Sequence, residues 1–194
     1  VDMIRRCLSF LAFLLLASWT STQSLRPSAG LSWQRRNQSP IRSACGADHA
    51  IELLQNLCTS CGKPLLVGYD LERLAGSFTP EAVRGRSTRS MWRFLEVLPA
   101  ADAQEVVSLG EGQTPLLRCR AEGVFEGFSN LWVKDESFNP TGSFKARGMS
   151  AAVTRAKSLG VTSIALPSAG NAAGAATYYA AAAGMDCVLF MPED

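Results

Sequence analysis

Several things are scarce in this 194-residue chain. Aromatic residues make up 8% of it, and its cysteines number six. That is too sparse for the disulfide scaffold of a small secreted domain. No internal repeat or low-complexity tract is present. Gly170 and Gly174 lie four apart in a turn-like segment but complete no dinucleotide fingerprint, which excludes a Rossmann-type cofactor site there. The apolar run Cys7–Trp19 falls short of the roughly 20 residues a membrane span requires. The composition is nonetheless globular, with 47% hydrophobic residues, and this excludes disorder throughout.

Acidic groups are nearly missing from one end. Residues 1–46 hold six arginines and one acid, a net of +5, whereas the remaining residues hold 13 basic and 16 acidic groups, a net of −3. The overall charge of +2 is thus a property of the N-terminal stretch, and the body offers no electrostatic reason to bind nucleic acid. Arg5 and Arg6 followed by Cys7–Trp19 have the order of a secretory signal, too short for stable membrane insertion once removed. Thr20 to Gly46, with four arginines, many serines and no acid, has the composition of an organelle transit peptide. The pair resembles the two-part leader of algae whose plastid lies inside the secretory system, so a plastid destination is expected, with secretion as the alternative. The chain opens Val1-Asp2-Met3 and closes directly after an apolar strand-like run, and both ends read as those of a fragment.

Cys119 and Cys187 sit in apolar strand-like runs and read as small core residues. Cys58-Thr59-Ser60-Cys61 has the spacing at which two thiolates share a tetrahedral metal, with Cys45 and His49 as candidates for the other two ligands. A Cys-x3-His partner is less usual than a second Cys-x2-Cys, and Arg42 stands where the second Cys would fall. A remnant ribbon with free thiols is the preferred reading over an intact zinc site.

Further along, Leu65–Tyr69 reads as a strand, Thr79-Pro80-Glu81 as a helix start and Leu116-Leu117 as the beginning of a strand. From Leu131 the organisation is cleanest. A strand at Leu131–Lys134, a turn at Asn139–Ser143, a helix from Phe144 to Leu159, a strand at Thr162–Leu166, a turn at Ser168–Asn171, a helix from Ala172 to Ala183 and a strand at Cys187–Phe190 follow one another through short loops. This order predicts an α/β fold of parallel βαβ units with the sheet covered on both sides. Ligands of such sheets sit beyond the carboxyl ends of the strands, facing helix N-termini.

Lys145 falls in the first turn of its helix, where the positive dipole end and partial burial disfavour an ammonium. A neutral amine there suits Schiff-base formation with an aldehyde cofactor. By position alone a surface lysine snorkelling away from the dipole is the preferred reading. The Ser168–Asn171 turn offers backbone N–H groups to a carboxylate or phosphate, and an ordinary tight turn explains it as well.

Four segments in order carry a resemblance. They are Cys58–Leu66 with Tyr69-Asp70-Leu71, Gly110–Leu116, Lys134–Gly148 and Ser168–Ala175. The sequence resembles the threonine synthases, pyridoxal-phosphate (PLP) enzymes of fold type II, over roughly residues 52–194. The resemblance implies a targeting leader over 1–46, an N-terminal region with a ribbon-like segment over 47–109, and an incomplete PLP-dependent catalytic domain over 110–194. It implies that Lys145 binds PLP and moves protons at the substrate's α and β carbons. Asn171 would hydrogen-bond the cofactor ring oxygen, and Ser168, Ala169 and Asn171 would hold the substrate carboxylate. The reaction would convert O-phospho-L-homoserine and water to L-threonine and phosphate, in an enzyme for which a homodimer is an allowed assembly. The family's Gly-rich phosphate loop is not among these residues, so the fragment alone is expected to be inactive. The alternatives are a serine/threonine dehydratase or cysteate synthase of the same fold, and a non-catalytic ribbon or degenerate PLP-fold protein.

Overall fold

The computed structural model describes residues 38–100, 102–120 and 122–193. The signal and transit segments up to residue 37 lie outside them. Residues 38–46, grouped with the leader on composition, instead begin a sheet: a run of Ser and Arg without acid does not reveal a strand that pairs with distant partners. Strand β1 (Gln38–Arg42) lies between β2 (Asp48–His49) and β3 (Leu66–Tyr69), antiparallel to both. The β1–β3 register shifts between Ser39 and Arg42, where Pro40 has no N–H to give the ladder.

Two short helices follow, α1 (Leu71–Ala75) and α2 (Pro80–Arg84), capped by Asp70 and Thr79, whose side chains accept from Arg73 N and Ala82 N. A 3-10 segment, Met91–Val97, buries Met91 and Trp92. Strands β4 (Leu116–Arg118) and β5 (Trp132–Lys134) come next, then helix α3 (Lys145–Ser158), strand β6 (Ser163–Pro167), helix α4 (Asn171–Ala183) and strand β7 (Asp186–Phe190).

The βαβ expectation holds for one unit and fails for the other. β6 and β7 pair in parallel, Ser163 with Asp186 through Pro167 with Phe190. β5 instead pairs antiparallel with β4, Leu116 opposite Lys134, so β5–α3–β6 is not a crossover within one sheet. Element order alone could not reveal this, because it does not say which strand is the partner. Coverage also differs from expectation. Ile164, Leu166, Cys187 and Leu189 pack against the helices, whereas Val188 and Phe190 are exposed among the described residues. Among those residues, no helix is long and apolar enough to cross a membrane.

Alanine permits the close approach of α3 and α4. Ala146, Ala175, Ala176 and Ala180 are fully buried, with Met149, Val153 and Tyr179 filling the space beside them. α4 ends at Gly184 in the left-handed conformation (φ 70°), whose N–H closes on Ala180 and Ala181.

At the centre of this packing lies a carboxylate. Glu111 is fully buried. Its Oε1 accepts from Trp92 Nε1 (2.9 Å) and Ser108 Oγ (3.0 Å) and lies 2.6 Å from Ser150 Oγ. Its Oε2 accepts from Leu109 N (3.0 Å) and Tyr179 Oη (2.6 Å). Burial and this hydrogen bond push the Tyr179 phenol well above its usual range, so it remains a donor. The next residue, Gly112 (φ 112°), packs so tightly that a Cβ there would lie 2.6 Å from Met91 N.

Tyr179→Phe removes one charge-assisted hydrogen bond and should cost about 1.5–3 kcal/mol in chemical denaturation. Glu111→Gln should cost more, because an amide N–H2 would face donors already in place. A Glu111→Gln variant within about 0.5 kcal/mol of the parent, the range of an ordinary surface change, would refute the central role of this carboxylate.

Candidate active site

α3 meets β6 through the short turn at Leu159–Thr162, and α4 leaves from the opposite end of β6 through Ser168–Gly170. Both helices therefore run back along the strands and start at the same edge, beyond the carboxyl ends of β6 and β7. Lys145 is the first residue of α3 and Asn171 the first of α4. Topology thus places at one edge the two residues that the sequence singles out for the cofactor.

Lys145 is half-buried, its Nζ 4.6 Å from the ring centroid of exposed Phe144. Its N–H donates to Ser143 Oγ at 3.3 Å, so the buried Ser143 closes the start of the helix. The N-cap of α4 is Gly170, which has no side chain to accept from the helix. Among the described residues, no side chain caps the first N–H groups of α4, which have no intrahelical acceptor either. Ser168, Ala169 and Asn171 line this turn, but not equivalently. The Ser168 N–H donates to Phe190 O (3.0 Å), extending the β6–β7 ladder, and its hydroxyl accepts from Gly170 N (3.3 Å). The sheet thus uses the Ser168 backbone N–H, and exposed Ala169 and the opening residues of α4 follow it along the same turn.

A second carboxylate holds the lysine-bearing turn. Glu136 accepts from Arg147 Nε (2.6 Å) and Nη2 (2.8 Å), from Thr114 Oγ1 (2.6 Å) and from Asn139 Nδ2 (3.0 Å). The same Asn139 accepts from Gly112 N at 3.1 Å. Asn139 is buried, and its amide joins the Gly112 loop to the turn that precedes Lys145. The Arg147 hydrogen bonds, against an opposing effect of burial and with help from Thr114 and Asn139, hold the Glu136 carboxyl down at about 2. Within the turn, Thr141 Oγ1 is buried with no partner among the described residues. A buried hydroxyl of this kind needs a polar partner. Together with a half-buried amine and free helix-start N–H groups, it makes a donor set that fits an aldehyde cofactor and an anionic substrate.

Residues 107–194 match the family described as pyridoxal-phosphate dependent enzyme. That stretch, which holds α3, β6, α4 and β7, is similar to the pyridoxal-phosphate dependent enzymes. It is 40% identical over 149 residues to the threonine synthase of Methanocaldococcus jannaschii, covering 77% of this chain and 36% of that protein. It is 36% identical over 148 residues to the threonine synthase of Methanosarcina acetivorans, covering 76% and 35%. The threonine synthase of Halalkalibacterium halodurans is 42% identical over 114 residues, 54% of this chain and 30% of its own length. The chain thus spans about a third of the length of these curated relatives.

The residue-by-residue reading of the sequence missed Glu111, Glu136, Arg147, Asn139 and Thr141 as individuals, although all lie inside the segments it marked. A Glu next to glycines in an apolar context, and a Glu eleven residues before an Arg, are signals only once the fold places them. Of the four metal candidates, Cys45, Cys58 and Cys61 have sulfurs within 4.8 Å of one another, and His49 Nε2 lies 3.3 Å from Cys58 Sγ. They form a cluster of their own around β1 and β2.

Because the Glu136 carboxyl lies below its ordinary 4.5 in the folded chain, the stability it contributes is present above about pH 4.5 and fades as the pH falls towards 2. Glu136→Gln should cost about 1.5–3 kcal/mol at pH 7, and the difference from the parent should shrink across that acid window. A pH-independent difference in urea titrations would show that the ion pair is not its source.

Proposed function

We propose that this chain supplies the lysine-bearing part of a threonine synthase, which converts O-phospho-L-homoserine and water to L-threonine and phosphate. The observation that carries the reading is Lys145 at the opening of α3, half-buried, on the same edge as the uncapped start of α4. The named threonine synthases that match most of the chain support the substrate class.

Pyridoxal phosphate, when bound, supplies an electron sink that makes protons on the substrate's α and β carbons removable. The residues of this chain would attach it, orient the substrate and move those protons. The Lys145 amine is the attachment point. The same amine would serve as a base and then an acid at the substrate's α and β carbons. The Asn171 side chain would hold the cofactor by donating to its ring oxygen. Ser168, Ala169 and the first N–H groups of α4 would hold the carboxylate, favoured by the positive end of the helix dipole. Glu136 and Arg147 fix the turn, so the amine need not search for its position. The match covers about a third of the threonine synthases it resembles, so the assigned activity is that of a polypeptide of their length.

In that polypeptide, phosphate should be released from O-phospho-L-homoserine, with little ammonia from threonine. Ammonia from threonine without phosphate release would place the protein among the dehydratases. Lys145→Ala should lower turnover by about 10³-fold or more. It should also abolish the cofactor adduct that borohydride fixes on the parent, read as a mass shift on the peptide containing residue 145. An adduct retained by the variant would remove Lys145 from its assigned role.

A further inference from the structure

Between residues 41 and 70 only two described side chains are buried, Ser43 and Cys58. Neither builds an apolar core. The leucines of the same region face outward, with Leu53, Leu54, Leu57 and Leu66 all 45% exposed or more. A three-stranded sheet of two to five residues per strand buries too little to hold itself by the hydrophobic effect. Small units of this kind use a staple.

Two turns meet where the core would be. The first, Ser43–Ala47, joins β1 to β2. It is closed by Gly46 N to Ser43 O (3.0 Å) with Gly46 at φ 82°, and it carries Cys45. The second, Cys58–Lys63, is closed by Cys58 N to Lys63 O and Gly62 N to Cys58 O, both 2.9 Å, with Gly62 at φ 65°. It carries Cys58 and Cys61. Backbone and side-chain donors aim at the sulfurs: Ser60 N lies 3.3 Å from Cys58 Sγ, and Ser43 Oγ lies 2.8 Å from Cys61 Sγ.

The three sulfurs lie within 4.8 Å of one another, and two of the separations match the edges of a ligand tetrahedron. A tetrahedral zinc with Zn–S near 2.3 Å and Zn–N near 2.0–2.1 Å has edges of about 3.8 Å between sulfurs and about 3.5 Å between sulfur and nitrogen. Cys45 Sγ and Cys58 Sγ stand 3.7 Å apart, and His49 Nε2 and Cys58 Sγ 3.3 Å apart. At 3.7 Å the sulfurs are unbonded, since a disulfide needs about 2.0 Å. Three thiols with one imidazole form a soft donor set that suits zinc and leaves no open position for a substrate.

We propose that Cys45, His49, Cys58 and Cys61 bind one zinc ion, which folds the N-terminal sheet rather than serving the reaction. Ser43 and the Ser60 N–H orient and neutralise the thiolates from outside the ligand sphere. This reverses the preference for free thiols that the sequence alone supports. The Cys-x3-His spacing is accommodated because the turn that carries Cys45 returns the chain to place His49 opposite Ile41, with Nε2 3.3 Å from Cys58 Sγ.

The proposal is tested on the full polypeptide, purified under reducing conditions. Elemental analysis should find one zinc per chain. After removal by a chelator, Co²⁺ alone should restore one equivalent with the strong ligand-field and sulfur charge-transfer bands of a tetrahedral thiolate site. Cys58→Ser and Cys61→Ser should each lose the ion, and His49→Ala should retain weaker binding with an altered cobalt spectrum. Lys145→Ala should keep its zinc, which makes the outcome independent of the catalytic reading. Metal-free protein that binds neither ion, or a disulfide linking Cys45 to Cys58, would overturn the proposal without recourse to any variant. An unchanged cobalt spectrum in His49→Ala would overturn the assignment of the fourth ligand.

Discussion

Everything at the cofactor edge depends on where one buried carboxylate finds its donors. Glu111 draws Trp92 from the 3-10 segment, Ser108 and Leu109 from its own loop and Tyr179 from the middle of α4, while the α3 residue Ser150 lies 2.6 Å from it. A buried charge is costly unless its lone pairs are matched, and matching these brings all four segments to one point. The two helices cannot slide past each other without breaking one of these contacts. Their relative position also sets how Lys145 and Asn171 face across the edge, so stability and site geometry rest on the same hydrogen bonds.

Glu136 repeats the device nearer the surface. Its partners, Arg147, Thr114 and Asn139, come from α3, from the loop after Gly112 and from the turn before Lys145. Asn139 also receives the Gly112 N–H, and Gly112 follows Glu111 directly, so the two carboxylates are linked through the backbone. The steric demand at Gly112 fits this arrangement, because the loop must pass against Met91 to reach both carboxylates. Bidentate pairing with Arg147 gives the outer clamp a direction that a point charge lacks. The inner network fixes the helices, and the outer one fixes the turn that presents the amine.

Much of this was legible in the residues, and the failures have identifiable causes. The helices at 145–158 and 171–183 stand within two residues of the bounds that their glycine stops and turn residues predict. The parallel pairing of β6 with β7 follows from a strand–helix–strand order with tight turns. The partner of β5 was not legible, since a three-residue strand carries no pattern that distinguishes an antiparallel neighbour from a parallel one. Lys145 and Asn171 stood out because helix starts are chemically unusual places. Glu111 did not, because a carboxylate inside a core looks like any acid in a loop until its donors are placed around it. The engagement of the Ser168 N–H was not legible for a related reason: a ladder bond to Phe190 is a long-range event that no local motif announces.

The thiol cluster and the catalytic edge occupy opposite ends of one helix. Arg155, in the last turn of α3, donates to Ile51 O, two residues beyond His49, and to Ser158 Oγ. Burial holds the Arg155 guanidinium below its usual value, with Glu52 and Glu105 opposing that shift. A cation retained in such a place signals that the contact to the 49–52 segment is maintained at some electrostatic cost. The N-terminal sheet therefore has two attachments of different kinds. Its centre closes on sulfur and imidazole, and its rim is held by the C-terminal end of the helix whose first residue is Lys145. Because α3 is rigid over its length, the sheet is positioned by the catalytic core through Arg155 even where its own apolar contacts are few.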